Sequence, residues 1–279
     1  MGNSRQAKRA PDDDRPGIWV GYGKLVKLFR ERAGITQQQL ADTIGYSYEQ
    51  VASVEQGRRP AKSAFTEAVE RELEAGGTLQ ALQDDVDVAR LPAFFQDFAL
   101  IEAEAVSRSA YDPLLIPGLL QTESYARTLL AAHFPPLANE VVDERVAARL
   151  ARQDLLTRKQ PPLMLAFIIE EPALHRAVGG PVVMAEQLRH LLQCGGLRNV
   201  GVQVMPTSRS AHSGLNGPMV LLETVERQPL VYLESQDVGT VVSDRIEVSE
   251  FWARYGMLRS QALDGEESAR LIERVAGEI

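Results

Sequence analysis

The chain has 279 residues, 44% of them hydrophobic and 24% charged, and carries a single cysteine, Cys194. That composition excludes global disorder, an internal disulfide framework and any cysteine-built metal site, and the length allows one large or two small domains. The formal charge of −8 argues against a nucleic-acid binder when taken whole, but residues 1–62 hold eleven basic side chains against seven acidic ones, and the remaining 217 hold 19 against 31. A basic head on an acidic body is the asymmetry of a polyanion-binding module.

Residues 1–16 are polar, charged and Pro-bounded, and are expected to form a disordered arm. They lack the apolar core of a secretory signal, and Gln6 stands where a myristoylation pattern needs Ser or Thr. No apolar run approaches the 18 residues or so of a membrane span. The single cysteine fits a reducing compartment, so a soluble, cytoplasmic protein is expected. From residue 21 to residue 74 the apolar spacing is helical. Leu25, Leu28 and Phe29 share a face, as do Leu40, Ala41 and Ile44, then Val51 and Val54, then Phe65, Val69 and Leu73. Gly34 and Gly45 fall where helices should stop, and Thr36 and Ser47 where the next should be capped. A compact all-α domain is predicted over residues 17–76, and Gly76-Gly77 opens an expected linker over 77–90.

Residues 91–279 are predicted to form one α+β domain. A helix is expected over 91–104, an extended stretch around Ala105–Tyr111, and helices near 122–132 and 140–158. Leu163–Ile169 is an apolar run of strand length, followed by helices near 171–178 and 181–194. Strands then follow one another at Val200–Met205, Met219–Thr224 and Leu230–Ser235, with no helices between. Two further helices close the chain, the first carrying Val248, Phe251, Tyr255, Leu258 and Ala262 at helical spacing. This order argues for α+β rather than strict βαβ alternation. The polar loop Ser208–Gly217 reads as a hairpin connection, with a mobile lid as the alternative.

The segment from Ile35 to Pro60 carries the most chemistry. Thr36 caps a helix that needs the small Ala41 where a second helix crosses it, and Gly45 permits the positive φ of a sharp turn. Ser47 caps the second helix, whose inward residues are Val51 and Val54. Its outward N-terminal residues are Tyr48, Glu49, Gln50 and Ser53. In a helix-turn-helix these positions enter the major groove, where a Gln amide pairs with adenine and Glu accepts from cytosine. Thr36-Gln37, Leu40-Ala41, Gly45, Ser47, Val51, Ser53, Glu55, Gly57 and Arg59-Pro60 stand at fixed offsets. Together they resemble the phage-repressor-like (Xre-type) helix-turn-helix family over about residues 18–75.

The resemblance implies that Gln37 caps the first helix of the motif against a phosphate. It also implies that Tyr48, Glu49 and Ser53 face bases or flanking phosphates, and that Arg30 pairs with Glu55. Two departures stand out. The base-reading position that is often Gln or Arg is Tyr48, and Glu49 adds negative charge at the groove. Arg58, Arg59 and Lys62 follow the second helix, either as phosphate contacts or as a solvated loop.

From about Leu91 onward the chain resembles a second family, the antitoxin-like, effector-like domain that follows the helix-turn-helix in many actinomycete regulators. The resemblance rests on Tyr111–Ala126, Arg152–Leu156, Glu170–Leu174 with Gly179-Gly180-Pro181, Gly217–Glu223 and Val231–Glu234. It implies transcriptional regulation, often beside a small partner protein encoded by a neighbouring gene, and implies no particular ligand. Gln121, Arg152, Gln153 and Glu234 are candidate pocket residues, with mutual satisfaction inside a core as the plainer alternative.

Enzymatic readings are weaker. Glu171 and His175 have a metal-compatible spacing on a helix, but no third ligand is evident. His212-Ser213-Gly214 lacks a nucleophile-elbow context, and no phosphate-binding glycine loop occurs. The expectation is therefore a non-enzymatic DNA-binding transcriptional regulator without metal or cofactor. It would act on double-stranded DNA as a homodimer, because one such module buries little surface. The runner-up is an antitoxin-like interaction module whose acidic body neutralises a small basic partner, with DNA binding secondary.

Overall fold

The computed structural model describes residues 16–89, 93–236 and 238–279. The chain divides into two compact units, one ending at residue 90 and one beginning at residue 91. The expected arm lies outside the described residues except for Pro16.

The first unit is all helical: α1 (Gly17–Arg32), α2 (Gln37–Ile44), α3 (Tyr48–Glu55), α4 (Ser63–Glu72) and α5 (Gln83–Val88). Its core joins Tyr22 and Val26 of α1 to Leu40, Val51, Phe65 and Val69. Of the stretch expected as a linker, 77–90, the described residues 77–89 are folded into this unit. Gly76 and Gly77 adopt φ +65° and +84°, which makes a tight turn rather than a flexible joint. The Glu70 carboxylate accepts the backbone N–H groups of Gly77, Leu79 and Gln80 at 2.5, 2.8 and 3.2 Å. Trp19 Nε1 donates to Val86 O at 3.0 Å, and Leu79 and Val86 are fully buried. Leu79, Leu82 and Val86 repeat at helical spacing, so this stretch has an apolar face of its own to bury.

The second unit begins with α6 (Ala93–Glu104) and β1 (Ser107–Asp112), followed by α7 (Glu123–Ala131) and α8 (Asn139–Ala151). Next come β2 (Met164–Glu170), α9 (Glu171–His175), α10 (Pro181–Gly195) and β3 (Val200–Met205). Then β4 (Met219–Glu223), β5 (Pro229–Ser235) and β6 (Val238–Val242) precede α11 (Arg245–Gln261) and α12 (Gly265–Glu278). The fold is α+β. Helix α8 stops short of the expected 158, because residues 152–156 tighten into a 3-10 turn.

One six-stranded sheet runs in the order β3-β2-β1-β4-β5-β6. β1, β2 and β3 are parallel, and β4, β5 and β6 form an antiparallel meander attached to β1. One sheet face buries Ala110, Leu165, Phe167, Ile169 and Tyr232 beneath α6, α7, α10 and α12. The other face, with Tyr111, Ile168, Leu221 and Val231, is covered by Val248, Tyr255 and Leu258 of α11. The loop from 206 to 218 is not a hairpin connection, because β3 and β4 are not neighbours. It carries the chain from the outer edge past β2 and β1 to β4.

Two buried carboxylates on the first face have opposite electrostatics. Glu102 is fully buried and sits between two guanidinium groups: Arg108 Nε donates to Oε1 at 2.8 Å and Arg152 Nη2 to Oε2 at 2.5 Å. Burial would push its pKa up, and the two arginines outweigh burial and hold it below the ordinary value. Arg152 also lies over the Phe95 ring, 4.5 Å from its centroid. Asp112 has no such clamp. Its Oδ2 is buried without a hydrogen-bond partner. Burial, reinforced by Glu234 and opposed by Arg108, pushes its pKa from 3.8 to about 6.

The signs follow from linkage. A depressed folded pKa contributes stability above the unfolded value, lost as pH falls through the folded one. A raised carboxyl pKa contributes stability at low pH, lost as pH rises through the folded value. Glu102→Gln is therefore expected to lower the unfolding free energy by about 3–5 kcal/mol at pH 7, read by urea denaturation. Asp112→Asn is expected to raise it by on the order of 1–3 kcal/mol at pH 7.5, with no gain below about pH 4, which melts across pH would show.

Candidate nucleic-acid interface

The candidate interface is built from α2, the turn after it, and α3. Thr36 Oγ1 accepts the N–H of Gln39 while Gln39 Oε1 accepts the N–H of Thr36, a reciprocal cap. Gly45 adopts φ +75° and closes α2 with its N–H on Ala41 O, in the left-handed geometry that a side chain disfavours. Ala41 is fully buried at the crossing. Ser47 and Gln50 repeat the reciprocal cap at the start of α3, at 3.2 and 3.0 Å.

Helix α3 is held against α1 by close approach and by charge. A Cβ on Gly23 would lie 2.3 Å from Val54 O, so only glycine lets the two helices meet there. Arg30 donates to both Glu55 oxygens, at 2.6 and 3.0 Å, and to Ile35 O at 2.9 Å, with Arg30 and Glu55 both buried. Gln37 adds a third tie, donating to Glu55 Oε2 at 2.7 Å. One N–H of the amide assigned to a phosphate by resemblance is thus turned inward.

What this leaves outward is the first turn of α3. Ser47, Tyr48, Glu49 and Gln50 are exposed and Ser53 is half-buried. The Gln50 oxygen is engaged by Ser47 N–H, so a bidentate adenine contact would require that cap to open. Tyr48 and Glu49 carry no such constraint in their packing, and Tyr48 is 45% exposed. Arg58 and Arg59 are exposed just beyond α3, their backbone N–H groups folded back onto Ser53 O. Lys62 is exposed as well.

In the second unit the candidate pocket residues are held by their neighbours in separate networks. Gln121 donates to Ile116 O and accepts from Arg149 Nη1, both at 2.7 Å, and its backbone oxygen accepts from Gln153 Nε2 at 2.6 Å. Arg149 is desolvated enough that its pKa falls to about 10. Arg152 belongs to the Glu102 cluster instead. Glu234 is exposed and accepts from the Tyr232 hydroxyl at 3.0 Å. Sequence reasoning missed Gln187, fully buried on α10, which accepts from Thr122 N at 2.8 Å and donates to Leu120 O at 2.6 Å. The signal was present, since Gln187 lies in the helical stripe of Met184, Leu188 and Leu191.

Glu171 is engaged by the loop after β3. Its carboxylate accepts the N–H and hydroxyl of Thr207, both at 2.7 Å, and the backbone bond is the main cause of its lowered pKa. No group of three or more metal-ligating side chains occurs among the described residues. No helix among them is long and apolar enough to cross a membrane.

A capped, glycine-turned helix pair ahead of a mixed-sheet unit defines a helix-turn-helix protein of the DNA-binding regulator class. A helix-turn-helix domain model matches residues 22–85, reaching the first turn of α5. A second model, described as a domain of unknown function (DUF5753), matches residues 95–274, and the chain belongs to that family. No curated protein and no solved structure matches the chain.

The close α1–α3 contact yields a prediction. Gly23→Ala is expected to destabilise the helical unit by about 1–3 kcal/mol through overpacking against Val54 and Glu55, read from its thermal transition.

Proposed function

We propose that this protein is a sequence-specific DNA-binding transcriptional regulator whose first unit reads the major groove with the first turn of α3. The observation that carries the reading is the exposed Ser47-Tyr48-Glu49 turn on a helix anchored from behind by Gly23 and the Arg30–Glu55 pair. The cluster of Arg58, Arg59 and Lys62 supports backbone contacts beside it. The second unit is read as a binding unit rather than a catalytic one, serving dimerisation, ligand sensing or docking of a small partner. Its excess of acidic over basic side chains favours a basic protein as that partner. Two copies would place two reading turns on a two-fold site, and a cytoplasmic location accords with that role.

The test selects duplexes from a random pool with the full chain and measures shifts on the winner. Tyr48→Ala, at an exposed residue outside the Glu55 cluster, is expected to weaken binding by about 1–3 kcal/mol; unchanged binding overturns the groove assignment. Arg58→Ala and Arg59→Ala should each lower the salt slope by about 0.9 while leaving sequence preference intact.

A further inference from the structure

The crossing loop brings together three residues that no function above uses. β1 and β2 are parallel, with Tyr111 level with Ile168, so Tyr111 and Glu170 end on the same sheet face, the one covered by α11. The chain from β3 must pass both strand ends to reach β4, and it lays His212 and Gly214 over them. Tyr111 donates its hydroxyl to Glu170 Oε1 at 2.6 Å, and His212 Nε2 lies 3.3 Å from the same oxygen. His212 Nδ1 accepts the N–H of Gly214 at 3.2 Å, which fixes the tautomer with the proton on Nε2, facing Glu170. Burial and the Glu170 carboxylate both raise the Tyr111 pKa, which keeps its hydroxyl a donor. Gly214 is required here, because a Cβ would fall 2.3 Å from the Tyr111 ring.

Tyr111, Glu170 and Gly214 line a cleft of about 330 Å³ at the carboxyl ends of the parallel strands β1 and β2, with His212 behind Glu170. Its walls are Pro113, Leu114, Pro172, Leu215 and Pro218, with Leu114 62% and Leu215 69% exposed. The polar chemistry of the cleft is one-sided. The hydroxyl of Tyr111 and the Nε2–H of His212 both point at Glu170 Oε1. The backbone N–H groups of Gly214, Leu215 and Gly217 are engaged within the loop. What remains is acceptor capacity, above all Glu170 Oε2, which has no hydrogen-bond partner among the described residues. A carboxylate oxygen left unbonded under apolar walls favours a cationic donor over an anion.

We propose that this cleft binds a small apolar molecule bearing a protonated amine, with the ammonium on Glu170 and the apolar body between Leu114 and Leu215. The proposal gives the ligand-sensing reading of the second unit its chemistry, and rests on that reading.

The experiment titrates the full chain with benzylamine, benzyl alcohol and benzoate, matched in shape and differing in charge. Benzylamine should saturate at millimolar concentration or tighter, benzyl alcohol should bind at least about tenfold more weakly, and benzoate should not bind. Glu170→Gln should erase the amine-over-alcohol preference. Leu114→Ser with Leu215→Ser, on exposed walls, should weaken both ligands severalfold without changing the melting temperature. Absence of saturation by benzylamine, equal binding of benzoate, or an intact amine preference in Glu170→Gln overturns the proposal. DNA shifts run in parallel separate the two readings. A chain that binds DNA but no amine refutes the cleft alone, and one that binds the amine but no DNA refutes the regulator reading and leaves the cleft standing.

Discussion

Three helices of the first unit converge on one carboxylate. Glu55 ends α3, receives both arms of the Arg30 guanidinium from α1, and takes the Gln37 amide from the start of α2. A buried carboxylate is costly unless its oxygens are bonded, and a buried guanidinium is costly unless its fork is filled. Each partner is therefore tolerable only while the others are in place, which makes the arrangement of α1, α2 and α3 all-or-none. Removing one member leaves the rest with uncompensated charge, so the geometry of the reading turn is specified by electrostatics as well as by the apolar core. Gly23 adds a steric requirement at the same contact, since the α1 backbone can approach Val54 O only without a side chain.

The second unit repeats the device with a different outcome. Glu102 bridges Arg108 on β1 and Arg152 after α8, joining elements 50 residues apart in sequence, and remains a strong acceptor despite full burial. Asp112, at the other end of the same strand, has a buried Oδ2 without a hydrogen-bond partner and resists ionisation. The contrast is one of neighbours rather than of depth. Two guanidiniums outweigh the burial of Glu102, whereas Arg108 alone does not outweigh the burial of Asp112, to which Glu234 adds.

Local signals were the legible ones. The caps at Thr36 and Ser47, the turn at Gly45, and the apolar stripes of α2, α3 and α10 depend on residues a few positions apart, and the structure has them where the pattern placed them. Partnerships across long separations were not legible from spacing. The resemblance points Gln37 outward, yet Glu55 lies 18 residues away and claims one of its donors. The 77–90 stretch read as a linker because Gly76-Gly77 outweighed the apolar repeat of Leu79, Leu82 and Val86. Strand β6 escaped notice because an edge strand with mostly exposed residues needs no apolar alternation. The Tyr111–Glu170–His212 cluster was invisible for a topological reason: adjacency in sequence suggested a hairpin, and only the strand order shows that the loop crosses two strand ends.

The anchoring of α3 at its far end has an evolutionary consequence. Val51, Val54 and Glu55 are committed to the interior, and Ser47 and Gln50 to each other, so drift at these positions is penalised by loss of folding. Tyr48 and Glu49 face solvent and take no part in those bonds. Exchange there alters what the helix presents without altering how it is held. Under the proposed reading, exchange at these two positions changes the target while leaving the frame intact.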